Sequence, residues 1–112
     1  MLVIAVALVA GACAPLASKE IPGAVKGDQV TIVNFAFDPE TLEVAEGTTV
    51  RWLNVDDRPH SVTSGVPGNP DGTFDKATDG SDRRFQFTFG AKGIVLYYCR
   101  FHPSMRGTVV VR

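Results

Sequence analysis

Cys99, His102 and Met105 stand at even three-residue steps in the stretch YYCRFHPSMRG. Each offers one donor atom of soft or borderline character: a thiolate sulfur, an imidazole nitrogen and a thioether sulfur. The chain is poor in all three types. It has two Cys, two His and two Met among 112 residues, and one Met is the initiator. The second histidine, His60, lies in NVDDRPHSVTS, just after the strand-like run that carries Trp52. Taken singly, each residue has a plain explanation. A lone buried Cys is usually a small hydrophobe, a His ahead of polar residues is usually a turn residue, and Met105 fills a core well. The conjunction is what points to chemistry, because it uses both histidines and a scarce thiol together.

One thiolate, two imidazoles and a weak axial thioether make the trigonal donor set of a type 1 copper site. The spacing predicts a tight loop that turns Cys99, His102 and Met105 towards one point, with His60 closing the far side. A frame that suits both Cu(II) and Cu(I) lowers the reorganisation that accompanies each one-electron step. One copper ion is therefore the expected cofactor, and no residue is expected to perform bond chemistry.

The elements that must position these residues read as β throughout. RRFQFTF alternates Phe85, Phe87 and Phe89 with polar partners, as a strand with one wet face does. DPETLEVAEGTTVRWLN predicts two short strands around Glu46-Gly47, with Leu42, Val44, Val50 and Trp52 inward. In QVTIVNFAF the apolar parity shifts after Ile32, which predicts a bulge. GIVLYYC is apolar on both parities and is expected as a central strand, with Tyr97 and Cys99 on one face and Tyr98 on the other. GTVVVR closes the sheet. Residues 65–82, rich in Gly, Pro and Asp, are expected as loop. Short strands with turn signals in about 85 residues predict an all-β Greek-key sandwich.

The first twelve residues are apolar or glycine, too few for a span of roughly 20 residues, and they read as the core of a secretory signal. AGAC at 10–13 fits a lipobox with lipidation of Cys13; cleavage after Ala12 without lipid fits the same letters, and an uncleaved membrane anchor is the third alternative. The expected organisation is a signal over 1–12, a tether over 13–27 and one domain over 28–112. An extracytoplasmic or periplasmic location follows, with membrane association through the N-terminus if it is retained. A lone thiol in an oxidising compartment calls for an occupant.

A net charge of −1 argues against nucleic acid. Six bases and no acids lie from Arg83 onward, while all twelve acids lie between Glu20 and Asp82. Folding is expected to mix these blocks.

YYCRFHPSMRG together with DDRPHSVTSG resembles the cupredoxins, the small blue copper proteins, over residues 28–112. The short loop is most similar to that of the amicyanins; plastocyanins and pseudoazurins place more residues between the same ligands. The resemblance implies metal ligands His60, Cys99, His102 and Met105, a sandwich with copper at one end, and electron transfer between a larger redox donor and acceptor, with the chain acting as a monomer. Two departures stand out. Ser61 takes the place where these families usually have Asn, and its N–H and hydroxyl are expected to support the Cys99 sulfur and tie the two loops, with Pro59 beside it. Phe101 stands where amicyanins have Pro. Around the electron exit at His102 the expected docking patch is Phe101, Pro103 and Pro59, rimmed by Arg58, Arg100 and Arg106, with Tyr98 as a second exit route.

Two rivals come from other classes. Multicopper enzymes need more histidines than two, and a binuclear copper loop needs two cysteines. A copper carrier or store is the better alternative, although carriers favour clusters of exposed Met and His.

Overall fold

The computed structural model describes residues 20–112; the signal read at 1–12, the lipidation site Cys13 and the tether up to residue 19 lie outside them. Ten strands follow one another without a helix among the described residues. They are β1 (Val25–Lys26), β2 (Gln29–Val33), β3 (Ala36–Asp38), β4 (Thr41–Val44), β5 (Thr48–Asn54), β6 (His60–Val66), β7 (Asn69–Thr78), β8 (Arg84–Phe89), β9 (Gly93–Tyr98) and β10 (Arg106–Val111). One sheet has the order β1-β4-β10-β9-β6-β7 and the other β3-β2-β5-β8. The two form the expected sandwich. Within the segment expected as a tether, Val25–Lys26 already runs parallel to Leu42–Glu43.

Period-2 alternation sorts the side chains. Val50 and Trp52 are buried while Arg51 between them is exposed, and β8 turns Phe85, Phe87 and Phe89 inward against exposed Arg84, Gln86 and Thr88. Leu42 and Val44 are buried as well. Trp52 sits among Phe74, Phe85, Phe89 and Tyr97 at centroid distances of 5.4 to 6.3 Å. A fully buried apolar side chain such as Val50 or Leu42 stabilises the fold by roughly 1.5–3 kcal/mol. Tyr97 fits because its partner across β9–β10 is Gly107. Any Cβ at that position would run into the Tyr97 ring.

Three expectations need correction. The parity shift after Ile32 is a two-residue turn, not a bulge: Asn34 and Phe35 both have positive φ (54° and 58°), and Val33 pairs with Ala36 across them. Such a turn matches the twist of the flanking strands, which repays part of the left-handed cost. Residues 65–82 are largely strand, since β6 and β7 form a hairpin in which Thr63 pairs with Asp75 and His60 with Thr78. As an edge strand β7 is exposed along most of its length, so its sequence carries no apolar alternation.

The third correction concerns β9, which is central at one end only. β6 pairs with it at Tyr98 and Tyr97, and the β6–β7 register then shifts between Thr63 and Gly65. Gly65 has φ +112°, and a Cβ there would lie 2.6 Å from the Asn69 carbonyl oxygen. Ile94 and Leu96 are consequently 64% and 46% exposed. Tyr98 has the opposite fate: it lies outside the core cluster yet is 4% exposed, so it offers no open exit route.

Candidate metal centre

β9 carries Cys99 to the sheet end, and the chain turns at once into β10. The Cys99 N–H donates to the Met105 carbonyl (3.1 Å) and the Met105 N–H to the His102 carbonyl (2.8 Å). These two bonds close the 99–105 loop into a tight ring, and Met105 is buried beneath it. β6 begins at His60, which is fully buried and fixed on both sides. Its carbonyl accepts from Thr78 Oγ1 (3.0 Å), and Asn54 beneath it donates to the Arg58 and Thr78 carbonyls. His60 is thus strand-borne rather than part of a loop.

One donor atom each from His60, Cys99 and His102 lies within 4.8 Å of the others. Both histidines turn Nδ1 towards Cys99 Sγ, at 3.8 Å each. That separation is long for a hydrogen bond and leaves room for an ion between the donors. The Ser61 N–H points at the sulfur (3.4 Å), and the Ser61 hydroxyl accepts from the Arg100 N–H (2.8 Å). Pro59 is exposed and directly precedes His60. Phe101 (46% exposed), half-buried His102 and exposed Pro103 stand together in the loop, where Arg106 Nε donates to the Pro103 carbonyl (3.3 Å), and exposed Arg58 lies two residues before His60.

Two residues that sequence reasoning missed hold this arrangement. Asp56 lies 2.8 Å from His60 Nε2 and accepts the N–H groups of Asn34 (2.7 Å) and Phe35 (2.9 Å). Burial pushes its carboxyl up, but the Phe35 and Asn34 amides and the His60 ring outweigh this and hold it below the usual range. With Nε2 engaged by a carboxylate, the His60 tautomer that leaves Nδ1 free for a metal is favoured. Phe35 meets both imidazoles edge-on, at 5.2 Å from His60 and 4.9 Å from His102. The only signal for Asp56 was its position four residues before His60, and Phe35 carried none.

A thiol, two inward imidazole nitrogens and a buried thioether on the closing loop are a donor set suited to copper and poorly suited to hard cations. The family of copper-binding proteins that includes plastocyanin and azurin matches residues 24–112. The chain belongs to that family. It is a cupredoxin, copper is its cofactor, and one-electron transfer is its activity. The chain is 33% identical to amicyanin of Paracoccus denitrificans over 100 residues, 87% of this chain and 72% of that one. A purple cupredoxin from Nitrosopumilus maritimus superposes with a TM-score of 0.69 at 33% identity, covering 77% of this chain and all of that one. A copper nitrite reductase from Thermus scotoductus also superposes (TM-score 0.61, 29% identity), but only over 22% of its own chain.

Proposed function

We propose that this cupredoxin carries single electrons on one copper held by Cys99, His60, His102 and Met105, and that it is not an enzyme. The convergence of the Cys99, His60 and His102 donor atoms within 4.8 Å carries the reading. Both histidines are used there, and the described residues contain no second cluster of this kind. Copper supplies the one-electron couple; the protein holds the donors still and keeps water from Cys99, which is fully buried. A carrier that delivers copper is less well supported, because His60 is buried and pinned rather than exchangeable.

The exit is His102, framed by Phe101, Pro103, Pro59 and also Phe35, itself 48% exposed. Small apolar surfaces of this kind suit transient contacts. Arg58 and Arg106 would steer an acidic partner surface, whereas Arg100 is already paired with Asp75 (2.9 Å). The site of action is extracytoplasmic, with the stretch at 1–12 as export signal or anchor and Cys13 as the candidate lipid attachment; no helix among the described residues is long and apolar enough to cross a membrane.

The purified protein should turn intensely blue with Cu(II) and bleach with a mild reductant. Cys99→Ser should abolish the colour. Met105→Leu should keep it and raise the potential, since Cu(II) loses more than Cu(I) from a missing axial donor. A blue Cys99→Ser protein would remove the assignment. Transfer rates to the native partner should fall with rising salt, and a flat profile would remove the steering.

A further inference from the structure

Ser61 is the departure from the Asn usual at this place, and the hydrogen bonds around it form a closed ring. The Arg100 N–H donates to Ser61 Oγ (2.8 Å), Ser61 Oγ lies 2.9 Å from Thr63 Oγ1, and Thr63 Oγ1 donates to Asp75 Oδ1 (2.8 Å). Asp75 Oδ1 also accepts from Arg100 Nε (2.9 Å), which returns the chain to its start. The direction is determined. A carboxylate only accepts, so the Thr63 proton goes to Asp75, and the proton between the two hydroxyls must be that of Ser61. The three bonds in series then point one way, from the Arg100 amide through the two hydroxyls to the Asp75 charge, and bonds so aligned polarise one another, while the Arg100 Nε–H ends on the same oxygen by the short path.

The two ends of this ring differ in setting. Ser61 and Thr63 are fully buried, and Ser61 also aims its own N–H at Cys99 Sγ. Arg100 and Asp75 are 39% and 50% exposed in their side chains, and as an ion pair alone they would contribute little. Asp75 faces Thr63 directly across the β6–β7 hairpin. The edge strand therefore reaches, through two hydroxyls, the amide next to the thiol.

We propose that Thr63 and Asp75 are positioning residues for the copper thiolate, acting through Ser61 and Arg100 to fix the hydrogen-bond geometry at Cys99. The ring stands in for the single amide side chain that the usual Asn would supply. The inference rests on Cys99 as the metal thiolate, and its test is read first without metal so that the two fail separately.

Thr63→Val is nearly isosteric and changes no charge. In the metal-free, reduced protein it removes both bonds of Thr63 Oγ1, leaves Ser61 Oγ without its acceptor, and by loosening the Ser61 hydroxyl should speed hydrogen exchange of the Arg100 amide about tenfold. Loaded with copper, it should shift the sulfur-to-copper band and slow electron self-exchange several-fold. Thr63→Ser restores the hydroxyl and should restore all three. Asp75→Asn keeps the shape, weakens the terminal acceptor, and should move the same observables in the same direction by less. An Arg100 amide that exchanges at the wild-type rate in Thr63→Val overturns the proposal. If that variant does not fold, the same result in Asp75→Asn, which lies at the surface, overturns it.

Discussion

His60 and His102 present the same ring nitrogen to the same thiol, each with Nδ1 3.8 Å from Cys99 Sγ, yet the chain holds them in opposite ways. His60 opens a strand, is fully buried, and is bonded through its ring to Asp56 and through its carbonyl to Thr78. His102 sits in a turn, is half-buried, and is held by the loop closure at Met105 and by the edge of Phe35. One imidazole belongs to the frame, and the other belongs to the surface proposed above as the electron exit. A site that must be rigid and also reachable divides the two demands between its two histidines.

The widest gap should appear when each ring is deleted. His60→Gly empties a buried volume and should cost about 2–5 kcal/mol, the range for large-to-small core changes. Thermal unfolding of the metal-free form reads this loss, and added imidazole should not recover the blue colour. His102→Gly should fold nearly as well as wild type and regain colour with added imidazole, because its ring lies at the surface. Equal stability losses in the two variants would break the contrast.

Next in size is Asp56→Ala, which releases the His60 ring and the Asn34–Phe35 turn together. Loss of a carboxylate behind a ligating histidine lowers metal affinity by about 10–100-fold. Competition titration with a chelator should show that drop, while Asp57→Ala, one residue along and exposed, should leave affinity unchanged.

The four proposed ligands were legible because their types are scarce and three stand at fixed spacing in one loop. Strands β5 and β8 were legible through alternation: Val50 and Trp52 on one side, Phe85, Phe87 and Phe89 on the other. Strand β7 was not, since an edge hairpin with one wet face and an open rim puts no apolar demand on Asn69 to Thr73. Asp56 and Phe35 escaped for a different reason. An acid in a run of acids and an aromatic in an apolar segment look ordinary, and their roles arise only when β2–β3 and the β5–β6 connection meet in space. Tyr98 misled because strand parity gives a direction and not an exposure.

Removing the metal should sharpen the comparison further. In the copper-free protein the His60 ring keeps Asp56, whereas His102 loses its main restraint. Relaxation measurements on the two rings should show microsecond-to-millisecond exchange at His102 and a quiet His60; matching behaviour would mean that the fold does not discriminate between them. The smallest effect is expected from Phe35→Gly. Glycine relieves a left-handed backbone cost of about 1–2 kcal/mol, while the lost ring contacts are worth about 0.5–1.5 kcal/mol each. Stability should therefore stay within about 2 kcal/mol of wild type, and His102 exchange should quicken. A rise in His60 exchange of the same size would show that Phe35 restrains both rings alike.

The parallel pairing of β10 with β4 joins Val109 to Leu42 and Val111 to Val44, so a late segment of the chain completes a sheet begun early. While the polypeptide is being made or passed through a membrane from its N-terminus, β4 waits without its inner neighbour. The 99–105 loop is anchored at one end only until β10 arrives. The binding pocket is therefore complete only once β10 has joined the sheet, and copper arriving earlier would meet scattered donors rather than a cage. The order of the strands along the chain thus sets the earliest point at which the site can hold a metal.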